Sequence, residues 1–403
     1  MKYINSFEDF VYENYETDLL KMSDEDKELL LKYDRELHDV MTEFEKEHVH
    51  LANVKNTKSE IKKYLDGRKN GKPYKIKLEY EDNKFSDDEW CDEMMRKLGD
   101  LKGKFIDINC YLTKFYIYRI DKTLGEIEFF NKYMHDDEVF PKTLQRPSVK
   151  LYNKALEYLS EYKYESVKEL AKKDKDYKRV FTPEQSRKRL QKIIDKNGLG
   201  WKVVIDKNMI PRMSVRPYRE FRINADNNFS EVDLQSLEVH EIEVHTARKA
   251  NALKTGLYLF LYGLEGDNIF DEGLAIYNSL NKTKKQKPNI MFFISIKIVI
   301  LYHLYVMDFD ELFDFLVQVT NAPENVIVLA LIRAMRVFSF NLYKTDYTDS
   351  DYLDGYERVK NMDDKLRKDL LEYPIGPNQL HELNTIKKFF EINKFKPLRN
   401  YPF

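Results

Sequence analysis

Apolar residues recur every three to four positions through residues 23–66, where "SDEDKELLLKYDRELHDVMTEF" opens on Ser23 or Asp24, side chains suited to capping a helix start. The same spacing returns over residues 87–120, and again over 121–162 with a break near Pro141 and Pro147. Between the first two zones, "GRKNGKPYKIKLEY" alternates Tyr74, Ile76 and Leu78 with lysine and glutamate, which predicts a short strand or an extended arm. The stretch from Val167 to Gly198 is so charged that it reads as solvated surface, with Thr182 before Pro183 and Glu184 starting a helix. After Gly200 the period falls to two: "WKVVIDKNMIPRMSVRPYREFRINA" is rich in β-formers and predicts two or three short strands. From Ser230 to about Phe390 the helical spacing resumes. Within it, "IMFFISIKIVILYHLYV" (Ile290 to Val306) approaches membrane-spanning length, but Lys297 and His303 are costly in hydrocarbon, so it predicts a buried core helix. The pattern implies an α+β, predominantly helical protein, with a helical N-terminal portion over 1–110 packed on a unit over 111–403 that carries a small β-sheet.

Composition narrows the classes. In 403 residues, 42% hydrophobic and 14% aromatic content supplies a substantial core. Lysine plus arginine (67) nearly balances aspartate plus glutamate (69), so no basic excess points to nucleic acid. Two cysteines, Cys91 and Cys110, are too few for a disulfide framework or a cysteine metal cluster. The opening "MKYINSFEDFVYENYETDLL" is acidic where a secretory signal needs a basic start, and with no membrane span the expected location is cytoplasmic.

Chemistry concentrates in "LEVHEIEVHTARKAN", residues 237–251, which holds two of the eight histidines. His240, Glu241 and His245 spell HExxxH, one residue longer than the HExxH zinc-protease helix. A hydrolytic zinc site wants three protein ligands and an open position. His240 and His245 offer imidazoles, and "NIFDEGLAIYNSL" offers Glu272 on a second helix, beside the small residues Gly273 and Ala275. Glu241 is then placed to act as general base. On a regular helix, positions i and i+5 lie about 140° apart and cannot share an ion, so the site requires a π-type irregularity between Leu237 and Lys249. The competing reading is two unrelated histidines, one on the surface and one in the core.

"HEIEVHTARKAN" followed by "DEGLA" resembles the signature of the microtubule-associated tyrosine carboxypeptidase family and its bacterial QEGLA-motif relatives, which carry HEIGxH, a nearby asparagine and an acidic EGLA segment. "RPYREFRINADNNFS", Asn251 and "MRVFSFNLYKTDYTDSDYLDGYERV" resemble further family segments in the same order, and weaker likeness through "KTLGEIEFFNKY" and "SVKLYNKALEYL" extends it over roughly residues 28–365. The resemblance implies a zincin-like metallopeptidase core and one Zn2+ per chain held by His240, His245 and Glu272, with Glu241 as catalytic base. This chain departs from the pattern at Glu243, where the family has glycine, at Asp271, where bacterial members have glutamine, and behind Arg336, where a glycine is absent. The basic arms by which vertebrate members reach microtubules have no counterpart in this near-neutral chain.

A carboxypeptidase must also hold its substrate's terminal carboxylate, ideally on arginine. Arg336 is the first expectation and Arg222 the second, with Arg216 and Arg219 as further candidates. Tyr352, in the segment resembling the family's YLxG, is a candidate donor to the developing oxyanion. The expected activity is removal of a C-terminal, Tyr-like aromatic residue from a protein or peptide. The alternatives are a zinc endopeptidase or amidase, and a non-catalytic regulatory or binding protein with a structural metal.

Overall fold

The computed structural model describes residues 20–135, 146–164, 169, 174–207, 209–304, 306–335, 340–341, 346–347 and 350–394. Ser23 caps the first long helix, α1 (Asp24–Ala52), by accepting from the amide of Asp26, as its position predicts. α2 (Thr57–Lys69) follows, then α3 (Asp88–Ile106) and α4 (Thr113–His135), which pack on each other and, through α3, on α1. The alternating Tyr74, Ile76, Leu78 stretch is an extended arm and not a ladder strand. It is tied to α2 where the Glu60 carboxylate accepts from the amide of Lys77 and Asn56 accepts from that of Glu79.

α5 (Val149–Glu161) lies against α10 (Lys287–His303), and α6 (Pro183–Lys196) starts in a capping box between Thr182 and Gln185. Three strands follow, β1 (Lys202–Asp206), β2 (Met213–Arg216) and β3 (Glu220–Asn224). β3 is central, parallel to β1 and antiparallel to β2. α6 covers β1, and Val203, Phe221 and Ile223 carry the sheet's side of the core. The β2–β3 turn holds Arg219 at φ 63°, a left-handed conformation.

The helical remainder comprises α7 (Glu231–Leu237), a π segment (Glu238–Thr246), α8 (Ala247–Lys254), α9 (Asp267–Lys282), α10, α11 (Phe309–Thr320), α12 (Glu324–Met335), α13 (Asp351–Lys360), α14 (Asp364–Glu372) and α15 (Leu383–Ile392). The architecture is predominantly helical with a small three-stranded sheet. α10 is the apolar run of the sequence, and its residues Met291 to Leu301 are buried except Phe293. Two of its polar members find aromatic partners: Lys297 Nζ stands over the Tyr352 ring and His303 Nε2 pairs with the Tyr152 hydroxyl at 3.0 Å. Among the described residues no helix is long and apolar enough to cross a membrane. Both cysteines are buried free thiols.

Candidate metal centre

The π segment grows directly out of α7, and its start is pinned. Ser230 accepts from the amide of Asp233, the Asp233 carboxylate accepts from that of Ser230, and Arg212 Nη1 holds the same carboxylate at 2.7 Å. Beyond Leu237 the hydrogen bonds reach one residue further back. Thr246 Oγ1 donates to the Glu241 carbonyl at 2.7 Å, and the Ala247 amide donates to the Ile242 carbonyl, both five residues away. The wider turn absorbs the extra residue of HExxxH, as the spacing predicts. His240 and His245 come to one side, with ring centroids 4.8 Å apart and planes at 80°. Glu243, in the family's glycine position, points to α9 and pairs with Lys282.

Glu272 arrives from α9, whose approach depends on glycine. A Cβ at Gly273 would lie 2.4 Å from the carbonyl of Gly355 on α13, and one at Gly355 would lie 1.9 Å from the Ile269 carbonyl. The two helices therefore cross backbone to backbone, and the glycines of DEGLA and of YLDG are two halves of one contact. This crossing sets Glu272 against the histidines. Its Oε2 stands 3.3 Å from His240 Nε2 and 3.6 Å from His245 Nε2.

Behind His245 lies a chain of buried charge. Asp271 Oδ2 sits 2.7 Å from His245 Nδ1, Asp271 Oδ1 accepts from Arg248 Nη1 at 2.6 Å, and Asp267 accepts from Arg248 Nη2 at 2.7 Å. Arg248, only 2% exposed, spends its Nε on the Leu370 carbonyl of α14 at 2.9 Å. An ionised carboxylate can only accept, so Nδ1 of His245 carries the proton and Nε2 is the nitrogen turned to Glu272. Neither Arg248 nor Asp267 was expected from the sequence. The available cue was spacing: Arg248 lies three residues after His245, and Asp267 and Asp271 lie four apart on α9.

Electrostatics follow from burial and these contacts. Burial pushes the Glu241 carboxyl above its ordinary range, against the lowering effect of the two imidazoles. Burial also disfavours charge on Glu272 and Asp271, but His245, helped by His240 for the one and by Arg248 for the other, outweighs it and holds both well below the usual carboxylate range. His245, whose charge burial likewise opposes, is held well above the usual imidazole range by Asp271 and Glu272.

His240, His245 and Glu272 form a group able to hold a metal ion, with donor atoms within 4.8 Å of one another. Three donors about 2.0–2.1 Å from one tetrahedral ion stand roughly 3.3 Å apart, close to the two Glu272 separations. Among the described residues nothing donates a hydrogen bond to the buried Glu272 Oε2, which suits an atom reserved for a cation. The residues fit a zinc ion by number, type and spacing.

The three side chains and Glu241 line a cavity of about 1280 Å3, and Tyr352 lines it too. Of the arginines expected to hold a carboxylate, Arg216 is on the cavity wall. Arg222 is not. Its guanidinium lies on the sheet, 2.9 Å from Asp206 and 3.0 Å from Glu220, because a strand that alternates faces turns it to its acidic neighbours. Arg219 is likewise outside the lining, and Arg336 lies outside the described residues. Lys297 and Arg333, not expected there from the sequence, do line the cavity.

No curated protein matches the chain. Among solved structures it is similar to a protein from Colwellia psychrerythraea described as a lipoprotein, at 11% identity and a TM-score of 0.40 over 84% of this chain and 71% of that one, a likeness too slight to bear on fold or function. The sequence profile of the microtubule-associated tyrosine carboxypeptidases matches residues 141–373, a span that holds the π segment, DEGLA and YLDG. Matched over more than half its length, the chain belongs to the microtubule-associated tyrosine carboxypeptidase family.

Proposed function

We propose that this chain is a zinc-dependent carboxypeptidase that removes a C-terminal aromatic, Tyr-like residue from a protein or peptide, on a zincin-like core in which the sheet lies against the π segment. The observation that carries the reading is the convergence of His240, His245 and Glu272 beside buried Glu241 on one wall of a large cavity. Family membership supports the exopeptidase choice.

His240, His245 and Glu272 would hold the ion, which when bound supplies Lewis acidity to the scissile carbonyl and to water. Glu241 takes a proton as the water oxygen bonds to the carbonyl carbon, then delivers it to the amine nitrogen as the C–N bond breaks. Its raised affinity for a proton, caused by burial, suits both halves of that transfer. Asp271 keeps His245 in the tautomer that presents Nε2. Tyr352, which lines the cavity, would donate to the oxygen that gains negative charge.

The test uses the zinc-loaded chain, a peptide ending in tyrosine and its C-terminal amide, read by mass spectrometry. Release of free tyrosine from the acid alone, lost in Glu241→Gln with zinc retained, is the expected result. Cuts at internal bonds would replace the carboxypeptidase reading by an endopeptidase, and zinc held without turnover would favour a binding protein.

A further inference from the structure

Glu241 differs from the other members of the site in what holds it. Asp271 fixes the ring of His245, and the glycine crossing of α9 and α13 fixes the helix that carries Glu272. The Glu241 carboxyl is buried beside both imidazoles, yet among the described residues no side chain or amide hydrogen-bonds to it. Its aim is therefore set from behind, through its own main chain.

One side chain reaches that main chain. Thr246, the residue after His245, is fully buried and lies outside the cavity lining, and its Oγ1 donates to the Glu241 carbonyl at 2.7 Å. A threonine in a helix commonly returns its proton to a carbonyl three or four residues back. Thr123, Thr283 and Thr320 of this chain do so, to Arg119, Ser279 and Leu316 at 3.0, 2.6 and 2.7 Å, each four residues away. Thr246 reaches five. Its bond has the span of the π turn, and the Ala247 amide, bonded to the Ile242 carbonyl, continues the same spacing. The direction of a carbonyl is set by the ψ angle of its own residue, so holding this one restrains the direction in which the Glu241 side chain leaves the helix.

We propose that Thr246 is a positioning residue of the site: its hydroxyl holds the main chain of Glu241 so that the carboxylate keeps its place beside His240, His245 and Glu272. The inference rests on Glu241 being the base of a peptidase. It separates aim from ligation, because the ligands have their own supports in Asp271 and in the glycine crossing.

The test compares the zinc-loaded wild type with Thr246→Val, which keeps the shape and removes the donor, and with Thr246→Ser, which keeps the donor. Thr123→Val, which deletes an ordinary back-bond in α4, is the control for loss of a buried hydroxyl. On a peptide ending in tyrosine, Thr246→Val should lose at least about tenfold in kcat with KM and zinc affinity within about threefold of wild type, since a displaced base slows chemistry without weakening binding. Thr246→Ser should recover most of the loss, and Thr123→Val should lower the unfolding midpoint to a similar extent with kcat unchanged. Independently of turnover, hydrogen exchange over residues 238–250 should be faster in Thr246→Val and return towards wild type in Thr246→Ser. A kcat loss no greater than the control's, one that serine does not restore, one that follows loss of zinc, or exchange unchanged by valine would overturn the proposal. A wild type that holds zinc and cleaves nothing would defeat the peptidase reading instead, and the exchange comparison would still decide whether the hydroxyl holds this main chain. If the wild type cuts internal bonds, the kcat comparison stands and the exopeptidase reading falls.

Discussion

Substituting Asp271 by asparagine separates orientation of a metal ligand from mere packing. Asp271 bridges two groups, accepting from His245 Nδ1 at 2.7 Å and from Arg248 Nη1 at 2.6 Å. An amide of the same shape can accept from one of them but must turn its NH2 towards the other, so one contact becomes donor against donor. If His245 loses its acceptor, the imidazole is free to rotate and to hold its proton on Nε2, and removing such a partner lowers metal affinity by about 10–100-fold, or ~1.4–2.8 kcal/mol. If Arg248 loses, a guanidinium only 2% exposed keeps Asp267 and the Leu370 carbonyl but loses a charge partner. Breaking a buried pair outright costs about 3–5 kcal/mol, and with Asp267 still in place we expect roughly half of that. The measurements are zinc competition against a chromophoric chelator and denaturant unfolding of the metal-free protein. Asp267→Asn is the control, because Asp267 touches Arg248 and not His245. It should lose stability with zinc affinity unchanged, whereas Asp271→Asn should lose both. Equal affinity losses in the two variants, or none in Asp271→Asn, would refute the orienting role.

Further outcomes follow from the same contacts. Glu241→Gln should retain zinc and lose roughly 10²–10⁴-fold in kcat/KM, since the amide cannot carry the proton; activity within a fewfold of wild type would assign water activation to another group. Gly355→Ala should destabilise the protein by about 1–3 kcal/mol, because its Cβ would meet the Ile269 carbonyl, and should weaken zinc binding by displacing α9; a normal unfolding midpoint would show that the crossing tolerates a methyl group. Asp233→Asn should expose a pH-dependent loss. Burial alone would raise the Asp233 carboxyl, but Arg212 outweighs it and lowers it from 3.8 to about 2, so the associated stability, about 2 kcal/mol, is full above pH 4 and lost as the pH falls towards 2. The stability gap between wild type and variant, measured by denaturant unfolding at several pH values, should narrow over that window, and a constant gap would contradict the assignment. Removing metal with a chelator should abolish peptidase activity and zinc should restore it; activity that persists after metal analysis reads zero would defeat the zinc reading.

What was legible in the chain depended on how local the cause was. Ser23, Thr182 and the strands after Gly200 are set by neighbours in sequence, and they stand where the pattern predicts them. The π turn was also legible, because HExxxH has no other way to bring both imidazoles to one ion. Lost to the sequence were groups whose roles depend on contacts far along the chain. Arg222 looked like a carboxylate holder, but strand pairing brings Asp206 of β1 to it, and Glu220 stands two residues back on the same face of β3. Arg248 drew no expectation from the sequence and is among the most buried large side chains, because its partners come from α9 and α14. Lys297 was read as an argument against a membrane span, and in the fold it lies over the Tyr352 ring on the cavity wall.

The two breaches of helical regularity belong to one construction problem. Three ligands on two helices must meet within 4.8 Å, yet helices with ordinary side chains at the contact pack 8–10 Å axis to axis. A carboxylate side chain on α9 spans the remaining gap only if the helix itself is held firmly. The glycine crossing supplies that hold from the far side by letting α13 press α9 towards the π segment without an intervening Cβ. The wide turn meets it from the near side by rotating His245 towards His240. Arg248 then ties α8, which continues the π segment carrying His245, to α9 through Asp267 and Asp271 and to α14 through Leu370, so the π segment and the helix carrying Glu272 cannot slide independently. A ligand set built this way keeps its spacing by backbone contact and buried charge, which is why small changes at Gly273, Gly355 or Arg248, none of them a ligand, should register at the metal.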